Sequence, residues 1–124
     1  MSSVIKFEGG YEIHWISKEE YSSKIIVFEK AGVKTDMIFH TKGTKSWFIN
    51  AGSFKVRWID TSNGVLQEKE LNEGDVWDIL ALTPHSLESV YPNSSITEVN
   101  NNISKDDKHV IISSQTFKQG EENV

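Results

Sequence analysis

The sequence predicts an all-β domain of about ten short antiparallel strands, on three observations. Apolar and polar residues alternate with period two through most of the chain, the signature of strands with one buried face. Turn-forming residues interrupt that pattern at short intervals, as all-β folds require. Only residues 17–23 suggest a helical turn.

Strands are expected near residues 4–8, 11–16, 24–30, 35–40, 45–50, 53–60, 66–71, 75–80, 85–90, 95–100 and 109–114. The first two are divided at Gly9-Gly10. The second alternates Tyr11, Ile13 and Trp15 against Glu12 and His14, which puts His14 on the polar face. The next four end at Gly32, Lys42-Gly43, Gly52 and Asn63-Gly64. Among these, residues 45–50 carry Lys45, Trp47 and Ile49 on one face, and residues 53–60 set Phe54, Val56 and Trp58 against Lys55 and Arg57. Asn63-Gly64 is the strongest hairpin signal, because both residues tolerate positive φ. Asn72-Glu73-Gly74 and Pro92-Asn93 mark later turns. Trp58, Trp77, Phe39 and Phe48 are read as volume-filling aromatics of the interior. Strands this short must close on themselves or stack to protect their edges, as a barrel, a sandwich or a jelly roll.

The chain has 124 residues, enough for one domain with a real core. Residues 1–114 are expected to form it, with residues 115–124, polar and without period, as a mobile tail. Thirteen Lys plus Arg against eighteen Asp plus Glu give a net charge of −5. A nucleic-acid partner is therefore excluded, since the dominant electrostatic term is missing. Cysteine is absent, which removes disulfides, thiolate zinc sites and cysteine nucleophiles. No apolar run approaches the roughly 18 residues of a membrane span, and MSSVIKFEGG has no signal-peptide apolar region. The expectation is a soluble, cytoplasmic protein with no membrane partner.

Two segments carry the functional signal. In residues 32–52 the spacing is Gly32, five residues, Ile38, one residue, His40, four residues, Lys45, six residues, Gly52. In residues 74–85 it is Gly74, five residues, Leu80, one residue, Leu82, two residues, His85. These spacings resemble the two motifs of the cupin superfamily, G-x5-H-x-H-x(3-4)-E-x6-G and G-x5-P-x-G-x2-H-x3-N. The resemblance covers roughly residues 9–100. It implies an antiparallel double-stranded β-helix, the cupin jelly-roll barrel, forming a homodimer through outer strands. Within the superfamily, residues 9–32 look like the lead-in of the cupin domain of type II mannose-6-phosphate isomerases, matching at Gly10, Tyr11, Glu12, Trp15, Tyr21 and Lys24. The phrases KSWF and KVRWID are similar to small single-domain cupins of marine tailed phages.

The same resemblance sets the metal ligands at Ile38, His40, Lys45 and His85, of which only the histidines can bind a metal. Isoleucine cannot replace the glutamine common in the sugar-phosphate branch either. Lysine at the acid position repels a dication by several kcal/mol at low effective dielectric. The cofactor expectation is thus none, or a weakly bound zinc, manganese, nickel or iron at His40 and His85. Leucine at positions 80 and 82, where relatives place proline and glycine, suggests a longer or tighter strand.

Alternation brings Ile38, His40, Lys45, Trp47, His85 and Leu87 into one cavity. Two imidazoles, an ammonium and an indole suit a small polar ligand, a sugar or sugar phosphate: Trp stacks on sugar faces, while lysine and protonated histidine hold anions. Lys45, Trp47, His40 and His85 are the candidate binding residues. The competing reading makes the histidines hydrogen-bonded core residues and lets Lys45 snorkel to solvent. His14 and His109 are read as surface residues. Glu98 either supports the site or pairs across strands. Tyr11, Tyr21 and Tyr91 are candidate acids for epimerase-like chemistry, with Asp36 as a distant partner of His40, about 13 Å along the strand. Three functions remain: a ligand-binding cupin with a degenerate metal site, a metal-dependent sugar-phosphate isomerase or epimerase, and a structural or accessory barrel such as one of a phage particle.

Overall fold

The computed structural model describes residues 3–101 and 105–113. The expected tail, residues 115–124, lies outside the described residues. Eleven strands are present: β1 (Ser3–Phe7), β2 (Gly10–Ser17), β3 (Tyr21–Phe28), β4 (Met37–Phe39), β5 (Thr44–Ala51), β6 (Ser53–Asp60), β7 (Val65–Asn72), β8 (Val76–Ile79), β9 (His85–Ser89), β10 (Ser94–Asn101) and β11 (His109–Ile112). Each falls where alternation predicts one. They form two antiparallel sheets, a larger one in the order β1-β2-β3-β10-β5-β8 and a smaller one in the order β11-β4-β9-β6-β7. Neighbours distant in sequence, such as β10 between β3 and β5, give the jelly-roll winding.

The sheets face each other across an apolar core. Phe28 and Phe54 are fully buried at its centre and meet edge to face, with ring centroids 5.1 Å apart. Phe7 adds a second edge contact to Phe28 at 5.6 Å. Each such side chain contributes roughly 1.5–3 kcal/mol of burial and a further ~1 kcal/mol from ring geometry. Trp58 and Trp77 are half-buried and pack against this core as a tilted pair, 4.8 Å between centroids.

Three expectations change. Residues 17–23 form no helical turn: Lys18 N–H donates to the Tyr21 carbonyl at 2.8 Å, closing a hairpin between β2 and β3. The single 3₁₀ turn among the described residues is Lys105–Asp107. At Asn63-Gly64 only Gly64 has positive φ, 73°, and its N–H reaches back to the Asp60 carbonyl at 2.7 Å, so the turn is longer than the two-residue type. Finally, the leucines do not lengthen β8, which ends at Ile79. Leu82 instead keeps the left-handed conformation of a glycine, φ 65°, fixed by its N–H on the His40 carbonyl at 2.6 Å. Its side chain, like that of Leu80, is exposed.

Candidate functional site

The interior of the barrel opens into a cavity of about 420 Å³. Register builds it. On the inner face of the larger sheet His14 pairs with Lys24, Lys24 with Glu98, and Glu98 with Trp47. Across the cavity, in the smaller sheet, Ile38 pairs with His85. His40 follows β4, and Lys45 lies one inner position from Trp47 on β5. The six residues expected to share one interior, Ile38, His40, Lys45, Trp47, His85 and Leu87, all line this cavity.

Lys45 does not snorkel. It is 7% exposed, and its Nζ lies 3.7 Å from Glu98 Oε1. Glu98, 4% exposed, also accepts a hydrogen bond from Trp47 Nε1 at 2.8 Å and faces Lys24 Nζ at 3.8 Å. Burial alone would raise its pKa, but the two ammonium groups and the indole N–H hold the carboxyl well below the usual range. For Lys45 burial wins over the attraction of Glu98 and lowers the pKa. For Lys24 burial is outweighed by Glu98 and Glu12, and the pKa rises.

Glu12 and His14 are a second correction. They point inward and line the cavity, with His14 Nε2 2.8 Å from Glu12 Oε1 and Lys24 Nζ 3.4 Å from the same carboxylate. Trp15, expected inside, is exposed at the bulge between His14 and Ile16. The phase of β2 is thus the reverse of the hydrophobic reading, because the inner face here borders a polar cavity. Glu12 and Lys24 are the site residues that sequence reasoning left without a role, while Glu98, expected either to support the site or to pair across strands, lines the cavity against Lys45 and Trp47. The lead-in resemblance contained the first two, and their alignment was the available signal.

The two histidines have one defined tautomer. His40 Nδ1 lies 2.6 Å from the Asp107 carbonyl and His85 Nδ1 2.8 Å from the Thr83 carbonyl. A carbonyl only accepts, so each Nδ1 carries the hydrogen and each Nε2 keeps its lone pair. Both Nε2 atoms are buried and have no hydrogen-bond partner, with the rings 5.9 Å apart. Burial and the Lys45 charge push His85 down to about 3 and lower His40 as well. The histidines are neutral acceptors, which corrects the expectation of protonated, anion-holding imidazoles.

Other candidates fall outside the cavity. Tyr11, Tyr21 and Tyr91 do not line it, whereas Asp36 does. His109 is partly exposed, stacking on Phe39 at 5.0 Å and meeting Asp107 Oδ1 at 3.2 Å. Asp107 in turn accepts from Thr41 Oγ1 at 2.6 Å and from the Thr41 and Lys42 amides at 2.8 and 2.9 Å. That clamp holds the segment after His40 and, through its own carbonyl, orients the His40 ring. Phe48 does not fill the interior but lies exposed on the outer face.

No protein-family model matches the sequence, and neither does any curated protein. Solved structures do match. Oxalate decarboxylase from Bacillus subtilis superposes with a TM-score of 0.78 at 19% identity, over 89% of this chain and 30% of that one. The formate complex of oxalate decarboxylase from Lactobacillus farciminis gives 0.75 at 17%, over 89% and 34%. This chain has the cupin fold. It spans about a third of the length of these neighbours, and at such identity the likeness concerns the fold alone.

The Bacillus subtilis protein is described as having Mn(II) centres, and a divalent metal in this cavity would need three or four nitrogen or oxygen donors. The two orphaned Nε2 atoms supply two suitable donors. The remaining positions do not: Ile38 has no donor, and Lys45 puts a buried ammonium where the motif has its acid. Among the described residues no group of three His, Cys, Asp or Glu is placed to hold an ion, so Glu98 does not complete the set. The residues present do not fit a tightly held metal.

Proposed function

We propose that this cupin barrel binds a small hydroxyl-bearing molecule, of the sugar or sugar-phosphate class, without a resident metal. The observation that carries the reading is the pair of buried, unpartnered Nε2 lone pairs beside a buried ammonium. Unsatisfied buried acceptors cost about 1–3 kcal/mol each, and a ligand hydroxyl removes that penalty by donating to them. The same hydroxyl oxygens accept from Lys45 Nζ, so a vicinal diol matches the alternation of acceptor and donor. Trp47, Ile38 and Leu87 offer an apolar wall for the carbon face. Three lysines (Lys24, Lys45, Lys108) line the cavity with three carboxylates (Glu12, Asp36, Glu98), a balance that favours a neutral or singly charged ligand over a dianion.

A second reading, a sugar-phosphate isomerase or epimerase, draws support from Glu12 and Lys24: the matching lead-in residues lie in the cavity. The test for both is thermal shift and calorimetry with hexoses, hexose phosphates, nucleotide sugars and hydroxy acids, on chelator-treated protein with and without added zinc, manganese, nickel or iron. The binding reading expects a metal-independent rise in melting temperature that His40→Leu and Lys45→Met each abolish; a ligand at 100 times its Kd adds about 2.7 kcal/mol. Turnover of a hexose phosphate only with added metal would favour the enzyme. No shift with any compound would sink the binding reading and leave a structural barrel.

A further inference from the structure

A second cavity, of about 310 Å³, lies between the last residues of β6 and edge strand β8. It shares no lining residue with the barrel cavity. Strand alternation supplies its aromatic wall. Trp58 continues the inner row of buried Phe54 and Val56 on β6, and Trp77 lies opposite the inner-facing Trp47. The two indoles come from different sheets and meet at 4.8 Å with their planes 54° apart, so together they make a corner. Each is half-buried: core packing accounts for one part of the ring, and the remainder is left to the cleft.

The charge of the cleft has one sign. Asp60 and Asp78 line it, and no Lys, Arg or His does. On the outer face of the smaller sheet, by contrast, Glu68 and Glu88 are both paired with Arg57. Neither Asp60 nor Asp78 forms an ion pair among the described residues. Asp60 Oδ1 accepts from the Ser62 amide at 3.0 Å and the Ser62 hydroxyl at 2.6 Å, and these bonds hold its carboxyl below the usual range. Asp78 Oδ1 accepts from Ser46 Oγ at 2.7 Å. The second oxygen of each accepts no hydrogen bond among the described residues.

We infer that this cleft binds a small organic ammonium ion bearing methyl or methylene groups. A cation over an indole face is attracted by the ring quadrupole, and its alkyl groups cover the apolar part of the corner. The same charge answers both carboxylates, which an anion would oppose and a neutral sugar stacked on the indoles would leave uncompensated. A hard metal ion is a poor occupant, since calcium takes about six to eight oxygen ligands and indoles offer none. The volume stands at the low end of the roughly 300–1,000 Å³ of small-molecule sites, as a small ion requires.

The test is a titration of the full chain with choline, read by proton–nitrogen correlation NMR on the indole N–H signals of its four tryptophans. Trp58 and Trp77 should shift, while Trp15 and Trp47, the latter held by Glu98, stay in place. The neutral alcohol in which a carbon replaces the nitrogen of choline should bind at least about tenfold more weakly. Asp60→Asn and Asp78→Asn should each weaken choline by about threefold and together by about tenfold. Trp77→Leu should cost about tenfold, and the two aspartate variants serve if it does not fold. Glu20→Gln, which removes the same charge from an exposed position outside the cleft, should change nothing. Absence of any indole shift up to about 20 mM choline overturns the inference, as does equal affinity for the neutral alcohol. A shift of Trp47 in place of Trp58 and Trp77 overturns it too, by putting the ion in the barrel cavity, and so does a response of the cleft to glucose without one to choline.

Discussion

Neutral histidine burial makes a measurable demand on the pH dependence of stability. His85 is held at about 3 by burial and by Lys45, against about 6.5 in the unfolded chain. Between those values the unfolded state carries a proton that the folded state refuses, so stability falls as the pH drops from 6.5 toward 3, at close to 1.4 kcal/mol per pH unit. From pH 7.5 to 5.0 the loss integrates to about 2 kcal/mol from this residue alone. Carboxylates and His40 titrate as well, so the wild type must be read against His85→Gln, which keeps a polar group near Thr83 and removes the titration. Urea unfolding at the two pH values should show the wild type losing about 2 kcal/mol more than the variant. Nitrogen NMR should show His85 as the Nδ1–H tautomer with no protonation step above pH 4.5. Equal losses in the two proteins, or a His85 midpoint near 6.5, would refute the reasoning.

Glu98→Gln removes the carboxylate shared by Lys45 and Lys24 and leaves a buried ammonium uncompensated; a loss of about 3 kcal/mol is expected, and a loss under about 1 kcal/mol by urea titration would contradict the ion-pair account. Lys45→Glu restores an acid at the motif position beside His40 and His85, and elemental analysis after gel filtration should find near-stoichiometric zinc in the variant and none retained by the wild type. Leu82→Gly relieves the left-handed strain at φ 65° and should stabilise the protein by about 1 kcal/mol, read as a higher melting temperature; a decrease would mean that the Leu82 side chain makes contacts beyond its exposed position.

Strand positions were legible because alternation and turn residues are local signals. Residues 45–50 and 53–60, where the inner face is apolar, also gave the correct facing. β2 did not, and the reason is physical: near the cavity the inner face carries Glu12 and His14 while Trp15 bulges outward, so hydrophobicity inverts its usual meaning. The shared interior of His40, Lys45 and His85 followed from motif spacing. The role of Glu98 did not, because it depends on β10 lying between β3 and β5, a pairing about 50 residues from Trp47 and 75 from Lys24 in sequence that no local pattern encodes.

The substitution at Lys45 reorganises the whole site. A barrel with histidines and an acid facing inward is an anionic cage that is incomplete without a cation. With Lys45 in the acid position the cation is part of the chain, and Glu98, reached across β5 and β10 at 3.7 Å, supplies its counter-charge. Lys24 and Glu12 continue the alternation of charge. Such a cavity has little net attraction for a dication and none for a highly charged anion. What it leaves unsatisfied is hydrogen bonding: two lone pairs on His40 and His85, and the remaining donors of Lys45. Selectivity among neutral ligands in this site therefore rests on hydroxyl geometry, and the ligand screen should separate stereoisomers of one neutral polyol and favour that polyol over its dianionic phosphate.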